Sequence, residues 1–140
     1  MLIKKFQKHT TIMLSIFKRT PIYIKLSRNR IEIVNLETLE KISREPVEPF
    51  STERLIIADF NRADTLIRNI INDLLPKKGF FPRQTKILIQ QVEATEGGLS
   101  ETEKRVLRDL GEMAGGTTVI LIEHFRTLGH TEASLALRGK

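Results

Sequence analysis

An α/β domain with one mixed five-stranded sheet, in the order β-β-β-α-β-α-β, is expected from three features of the chain. Short segments near the front alternate apolar and polar residues, as half-buried strands do. Two later segments repeat apolar residues every three to four positions, as amphipathic helices do. Two nearly continuous apolar runs follow those helices, as strands of a parallel, two-sided sheet do. The chain has 140 residues, room for a single domain.

The first strand is read over 22–27, where Ile22, Ile24 and Leu26 alternate with Tyr23, Lys25 and Ser27. Arg28-Asn29 is a short turn, and 30–35 alternates again through Ile31, Ile33 and Asn35. Residues 38–42 are assigned to a third strand, and Pro46 and Pro49 punctuate the loop after it. A helix is expected from Arg62 to Leu75 with Asn61 as its N-cap and Asp64 in its first turn. Its stripe is Leu66, Ile67, Ile70, Ile71, Leu74 and Leu75, and Pro76 and Gly79 stop it.

Residues 86–92, with Ile87, Leu88, Ile89 and Val92, read as a buried strand. Ser100-Glu101-Thr102-Glu103 is a capping box that opens a second helix burying Val106, Leu107, Leu110, Met113 and Ala114. Gly115 suits the residue just past its end. Val119-Ile120-Leu121-Ile122 is expected at the centre of the sheet, and 133–137 as a last short helix. The division is a basic tail over 1–20, the α/β domain over 21–128, and a tail or short helix over 129–140.

Charge is unevenly placed. Lys4, Lys5, Lys8, Lys18 and Arg19 stand without an acid in residues 1–20, while the remainder has 18 basic and 17 acidic side chains. A nearly neutral body lacks the broad basic surface of a nucleic-acid binder, so nucleic acid is an unlikely partner and the basic tail its only footing. Wound as a helix, the tail gathers Leu2, Ile3, Phe6, Ile12, Met13, Leu14, Ile16 and Phe17 on one broad arc with most cations opposite. Such a segment suits peripheral contact with an anionic membrane. Two other readings stay open: Thr10 and Thr11 break the helix and leave a solvated tail, or translation starts at Met13. With no cysteine, disulfides and thiolate metal sites are excluded.

The order of elements matches the ribonuclease-H-like core of actin-type ATPases, and several segments make the likeness more specific. LIIADF (55–60), GLSETEKRVLRDLGEMAGGTTVILIEH (98–124) and MLSIFKR (13–19) resemble parts of the first subdomain of the bacterial actin homologue MreB. Within the second of these, Glu103-Lys104-Arg105-Val106-Leu107-Arg108 and Leu121-Ile122-Glu123 look like that family's own patterns. The likeness spans about residues 13–125, a third of a full actin-like chain. Among small proteins the chain resembles the stress-response proteins of the YjaA type, through Arg54 to Ala58 and Glu96 to Ser100.

The actin-like resemblance implies an Asp-x-Gly-Thr turn after the first strand, gripping phosphate and a magnesium shell. Here the stretch is Lys25-Leu26-Ser27-Arg28, so the Asp is replaced by Lys25 and the Gly by Ser27. Gly115-Gly116-Thr117-Thr118 imitates a second phosphate loop but follows a helix, and reads as the helix-to-strand turn. Glu103 falls where the resemblance places a water-orienting glutamate, and its capping role accounts for it. His9, His124 and His130 lack metal-ligand spacing. Glu93 and Glu96 are read as solvated loop acids rather than a carboxylate pair, and Ser100 has no His-acid partner. Phe80-Phe81 beside Lys77, Lys78 and Arg83 reads as a packed loop rather than a base-stacking platform.

No catalytic, cofactor-binding or metal-binding residue is therefore assigned. The expectation is a non-enzymatic adaptor or regulator in the bacterial cytoplasm, active in stress tolerance. Its partner would be a protein, either an actin-like cytoskeletal element or a second copy, contacted by an exposed patch or a strand edge. The alternative is residual nucleotide binding centred on Glu103.

Overall fold

The computed structural model describes residues 18–75 and 83–140. The expected amphipathic helix within 1–20, His9, the Pro76–Gly79 helix stop and the Phe80-Phe81 loop all lie, wholly or mostly, outside the described residues. The strands are β1 (Thr20–Ser27), β2 (Arg30–Asn35), β3 (Lys41–Arg44), β4 (Thr85–Gln91) and β5 (Gly116–Ile122). The helices are α1 (Phe60–Leu74), α2 (Glu101–Met113) and α3 (His130–Leu137).

The sheet runs β3-β2-β1-β4-β5. β1 is antiparallel to β2 and parallel to β4, and β4 is parallel to β5. An α/β domain with a mixed sheet and the expected element order is thus present, an antiparallel meander continued by two parallel strands. β1 holds the centre, and β5 is an edge strand, contrary to the expectation from its apolar run. A strand added by a helical crossover from β4 lands on the far side of β4, because β1 already fills the near side.

Alternation along β1 divides the core. Ile22, Ile24 and Leu26 point to one face and join Ile31, Ile33, Ile87 and Ile89 under α1 and α2. Tyr23 points to the other face and packs with Val34, Leu88, Leu128, Ala133 and Leu137 under α3. Residues 129–140 therefore cover the second face of the sheet. Each fully buried aliphatic chain such as Ile67 stabilises the fold by about 1.5–3 kcal/mol.

Two boundaries differ from expectation through a side-chain hydrogen bond. α1 starts at Phe60 with Asp59 as its N-cap, since Asp59 Oδ1 accepts from the backbone N–H of Arg62 at 3.1 Å. Asp64 is buried and pairs with Arg68 one turn on, at 2.9 Å. The third strand begins at Lys41 rather than Thr38, because Asn35 Oδ1 accepts from the N–H groups of Glu37 and Thr38 and folds them into a turn. Leu39 closes that turn at φ +66°.

Where α2 lies against β5, Gly111 permits a close approach: a Cβ there would sit 2.6 Å from Val119 Cγ1. Gly115, at φ +97°, makes the turn from α2 into β5. Among the described residues no helix is long and apolar enough to cross a membrane.

Candidate functional site

The β1–β2 turn is where the actin-like resemblance would place a phosphate-gripping loop, and in this chain its donors are met by the chain's own oxygens. Asn29 takes φ +49° in a two-residue turn, a conformation asparagine tolerates. Its N–H donates to Ser51 Oγ at 2.9 Å, and its Oδ1 accepts from the N–H groups of Phe50 and Ser51 at 3.0 and 2.9 Å. Arg28 donates through its backbone N–H and its Nε to the Glu93 carboxylate, both at 3.2 Å. The rest of its guanidinium binds the carbonyls of Thr52 and Glu53. A carboxylate thus sits on the amide and guanidinium that a phosphate would need.

Lys25 and Glu103 do not share a pocket. Lys25 lies on the α3 face, its Nζ 2.8 Å from Glu32 and 5.1 Å from the centroid of the Tyr23 ring. The hydrogen bond from Lys25, outweighing burial, holds the Glu32 carboxyl below its ordinary range. Glu103 is on α2, over the opposite face. Its N–H donates to Ser100 Oγ at 3.1 Å, and its carboxylate accepts from the Ser100 hydroxyl at 3.2 Å. The expected return of that carboxylate to the Ser100 backbone N–H is replaced by this contact to the hydroxyl. The cleft beside it, about 140 Å³, is walled by Leu55, Ile57, Val106 and Leu107 with Gln91 at one side.

Gly115 to Thr118 is the helix-to-strand turn, and Thr117 Oγ1 donates to the Thr85 carbonyl at 3.0 Å. Arg19 reaches Thr118 Oγ1 at 2.8 Å from the start of β1. Glu93 turns to Arg28 while Glu96 stands exposed. His124 is exposed and its Nδ1 accepts from the Arg126 N–H at 3.2 Å. Among the described residues, no three His, Cys, Asp or Glu side chains gather to hold a metal.

Two features were not anticipated. The first is a buried polar network on the α3 face. The Tyr23 hydroxyl donates to Gln90 Oε1 and accepts from the Leu128 N–H at 3.1 Å. Gln90 Nε2 donates to the carbonyls of His124 and Arg126 at 2.9 and 2.8 Å. Arg126 pairs with Glu132 at 3.0 Å, and that bond depresses the Glu132 carboxyl. The second is a groove of about 510 Å³ at the end of the sheet where β1 begins, lined by Pro21, Leu39, Lys86, His130, Leu135 and Arg138. An adjoining hollow shares Pro21 and Lys86 and adds Lys18, Arg19 and Glu37. Leu39 and Leu135 are 51% and 56% exposed at its rim. A leucine held left-handed costs about 1–2 kcal/mol and here turns apolar surface to water, an arrangement worth a functional explanation.

Fold and surface together define an α/β domain in which the donors of the β1–β2 turn are met by its own oxygens and a groove opens at the end of the sheet where β1 begins. The chain is 32% identical over 108 residues to the uncharacterized protein YjaA of Escherichia coli strain K12, covering 74% of this chain and 81% of that one. It belongs to the YjaA family. No family model matches it.

Proposed function

We propose that the protein is a non-enzymatic adaptor or regulator that acts by binding another protein. The observation that carries this reading is the closed β1–β2 turn: Glu93 and Ser51 take the donors that a triphosphate would require. Descent from an actin-like subdomain belongs to the same reading and is supported by the element order and by the likeness of 55–60 and 98–124. On it, a nucleotide scaffold has had its loop sealed while its surfaces remained free for partners. The rim of the Leu39 groove is the surface offered, and a role in bacterial stress tolerance follows the YjaA-type resemblance.

Two measurements test it. Millimolar ATP with magnesium leaves the thermal midpoint unchanged; a saturable rise overturns the reading. A photo-crosslinker at position 39 captures a recurrent protein partner in cells under stress; no specific adduct in any condition counts decisively against it. A second reading is peripheral membrane contact. It is favoured by Lys18, Arg19, Lys86 and Arg138 lining one end of the sheet, next in sequence to the basic stretch 1–17. Sedimentation with anionic vesicles, with and without residues 1–17, separates the two.

A further inference from the structure

The groove beside Leu39 is lined by residues of two kinds. Pro21, Leu39 and Leu135 are apolar, and Lys86, His130 and Arg138 are basic. Among the described residues no aspartate or glutamate lines it. The acids nearest Leu39 in sequence are engaged elsewhere. Glu37 pairs with Lys18, and Glu40 lines a different hollow with Asn72 and Asp73. The volume, about 510 Å³, falls in the range of small-ligand sites, about 300–1,000 Å³.

Cations beside the last turn of a helix commonly serve its free carbonyls. That role accounts for Arg19, which donates to the Lys140 carbonyl and to Thr118 Oγ1. It accounts poorly for Lys86, which is half-buried with its Nζ 3.4 Å from the Leu137 carbonyl, longer than the usual N–H···O range of about 2.7–3.2 Å. No carboxylate of the described residues pairs with Lys86 or Arg138. A half-buried ammonium in this position has given up water and gained no anion in return. Leu39 supplies an independent observation. Its φ of +66° disfavours a leucine, and at 51% exposure it gains little burial to offset that. One kind of ligand answers both, an acid group for the cations and a hydrocarbon for the leucines.

We propose that this groove binds a small amphiphilic anion, its acid group held by Lys86 and Arg138 and its hydrocarbon chain lying against Pro21, Leu39 and Leu135. Apolar lining supplies affinity, and a few convergent polar groups fix the orientation, as in other small-ligand sites. The inference goes beyond the adaptor role and does not rest on it, because the groove takes such an anion whether or not its rim meets a protein.

The test is a titration of the isotope-labelled full chain with octyl phosphate below its micelle concentration, followed by amide chemical shifts. The amides of Leu39, Ser134, Leu135 and Arg138 shift together and saturate. Butyl phosphate binds about tenfold more weakly, because its shorter chain covers less apolar surface. Inorganic phosphate and the uncharged octyl glucoside do not saturate at the same concentrations. Lys86→Gln and Arg138→Gln each weaken octyl phosphate by about tenfold. Arg138 is exposed, so its variant keeps the test valid if the Lys86 variant folds poorly. Leu39→Gly weakens binding by about fivefold without lowering the thermal midpoint, which separates a ligand contact from a structural one. Phosphatidylglycerol vesicles identify the source of the anion. If they displace octyl phosphate it is a lipid headgroup, and if they leave it bound it is a free amphiphile; either result supports the site. No saturable shift in the wild type overturns the proposal. Binding that both charge variants leave unchanged, or that octyl glucoside or butyl phosphate matches, also overturns it. A protein adduct at position 39 without octyl phosphate binding removes this inference and leaves the adaptor reading standing.

Discussion

Tyr23→Phe removes one oxygen from the interior and leaves the ring in place, which isolates what the hydroxyl does. Tyr23 and Gln90 are both fully buried. In the variant Gln90 Oε1 loses its donor and the Leu128 N–H loses its acceptor. Each stranded buried group costs about 1–3 kcal/mol, partly offset by no longer desolvating the hydroxyl, so a net loss of about 2–4 kcal/mol is expected. Urea titration followed by far-ultraviolet circular dichroism measures it, with an unchanged slope showing that the unfolded state is unaltered. Hydrogen exchange localises it: the Leu128 amide and the α3 amides lose protection before those of α1. The hydroxyl leaves a second mark at high pH. Burial raises the Tyr23 pKa, against the opposing hydrogen bond from Leu128, so the folded state favours the neutral phenol. That contribution is complete below the unfolded value of about 10 and is lost as pH rises through the higher folded value. The wild type weakens along this alkaline limb and the phenylalanine variant lacks it. A loss under about 0.5 kcal/mol, with an identical alkaline limb, refutes the network as the clasp between α3 and the sheet.

Two further outcomes concern the sheet and its charges. Gly111→Ala drives a methyl against Val119 and costs about 1 kcal/mol net, overpacking exceeding the gain in helix propensity; in a Val119→Ala background the same change stabilises by about 1 kcal/mol, a reversal read by thermal unfolding. The Glu32 carboxyl is depressed, so its contribution is present above the unfolded value of about 4.3 and is lost as pH falls through the lower folded value. Wild type and Glu32→Gln therefore differ in stability at neutral pH and converge in acid, as a pair of pH-dependent urea titrations shows.

Local chemistry explains which elements could be read in advance. The stripe of α1 from Leu66 to Leu75 and the alternation of β1 are written in consecutive residues, and burial follows both patterns. Asp59 and Asn61 are both good caps two positions apart, and periodicity does not choose between them; the choice falls to Asp59, which reaches the Arg62 N–H. The apolar run of β5 reads like a central strand because α2 covers one face while Ile120 and Ile122 reach the α3 cluster on the other. Burial on two faces says nothing about whether a neighbour lies alongside. Lys25 and Glu103 look like members of one site when laid on a family pattern, yet alternation in β1 sends Lys25 to the α3 face. The closure of the β1–β2 turn depends on Ser51 and Glu93, 22 and 65 positions from the residues they bind, a distance no local pattern spans.

The closed β1–β2 turn also bears on what this end of the sheet can bind. A phosphate loop is costly to keep once no phosphate is bound, because its aligned N–H groups are left without acceptors. In this chain the acceptors at the turn between β1 and β2 come from the protein itself: a serine hydroxyl for Asn29 and a carboxylate for Arg28. The same carboxylate neutralises the guanidinium beside it and ties β1 to the loop after β4. Glu93 thus stabilises the fold at the position where it excludes an anion. Removing it does not by itself open a site, since Asn29, Ser51, Thr52 and Glu53 still fill the remaining positions. Phosphate binding at this turn would need the whole 50–53 loop to move. On the proposed binding role, the surface left free by the closure includes the Leu39 groove at the opposite end of the sheet.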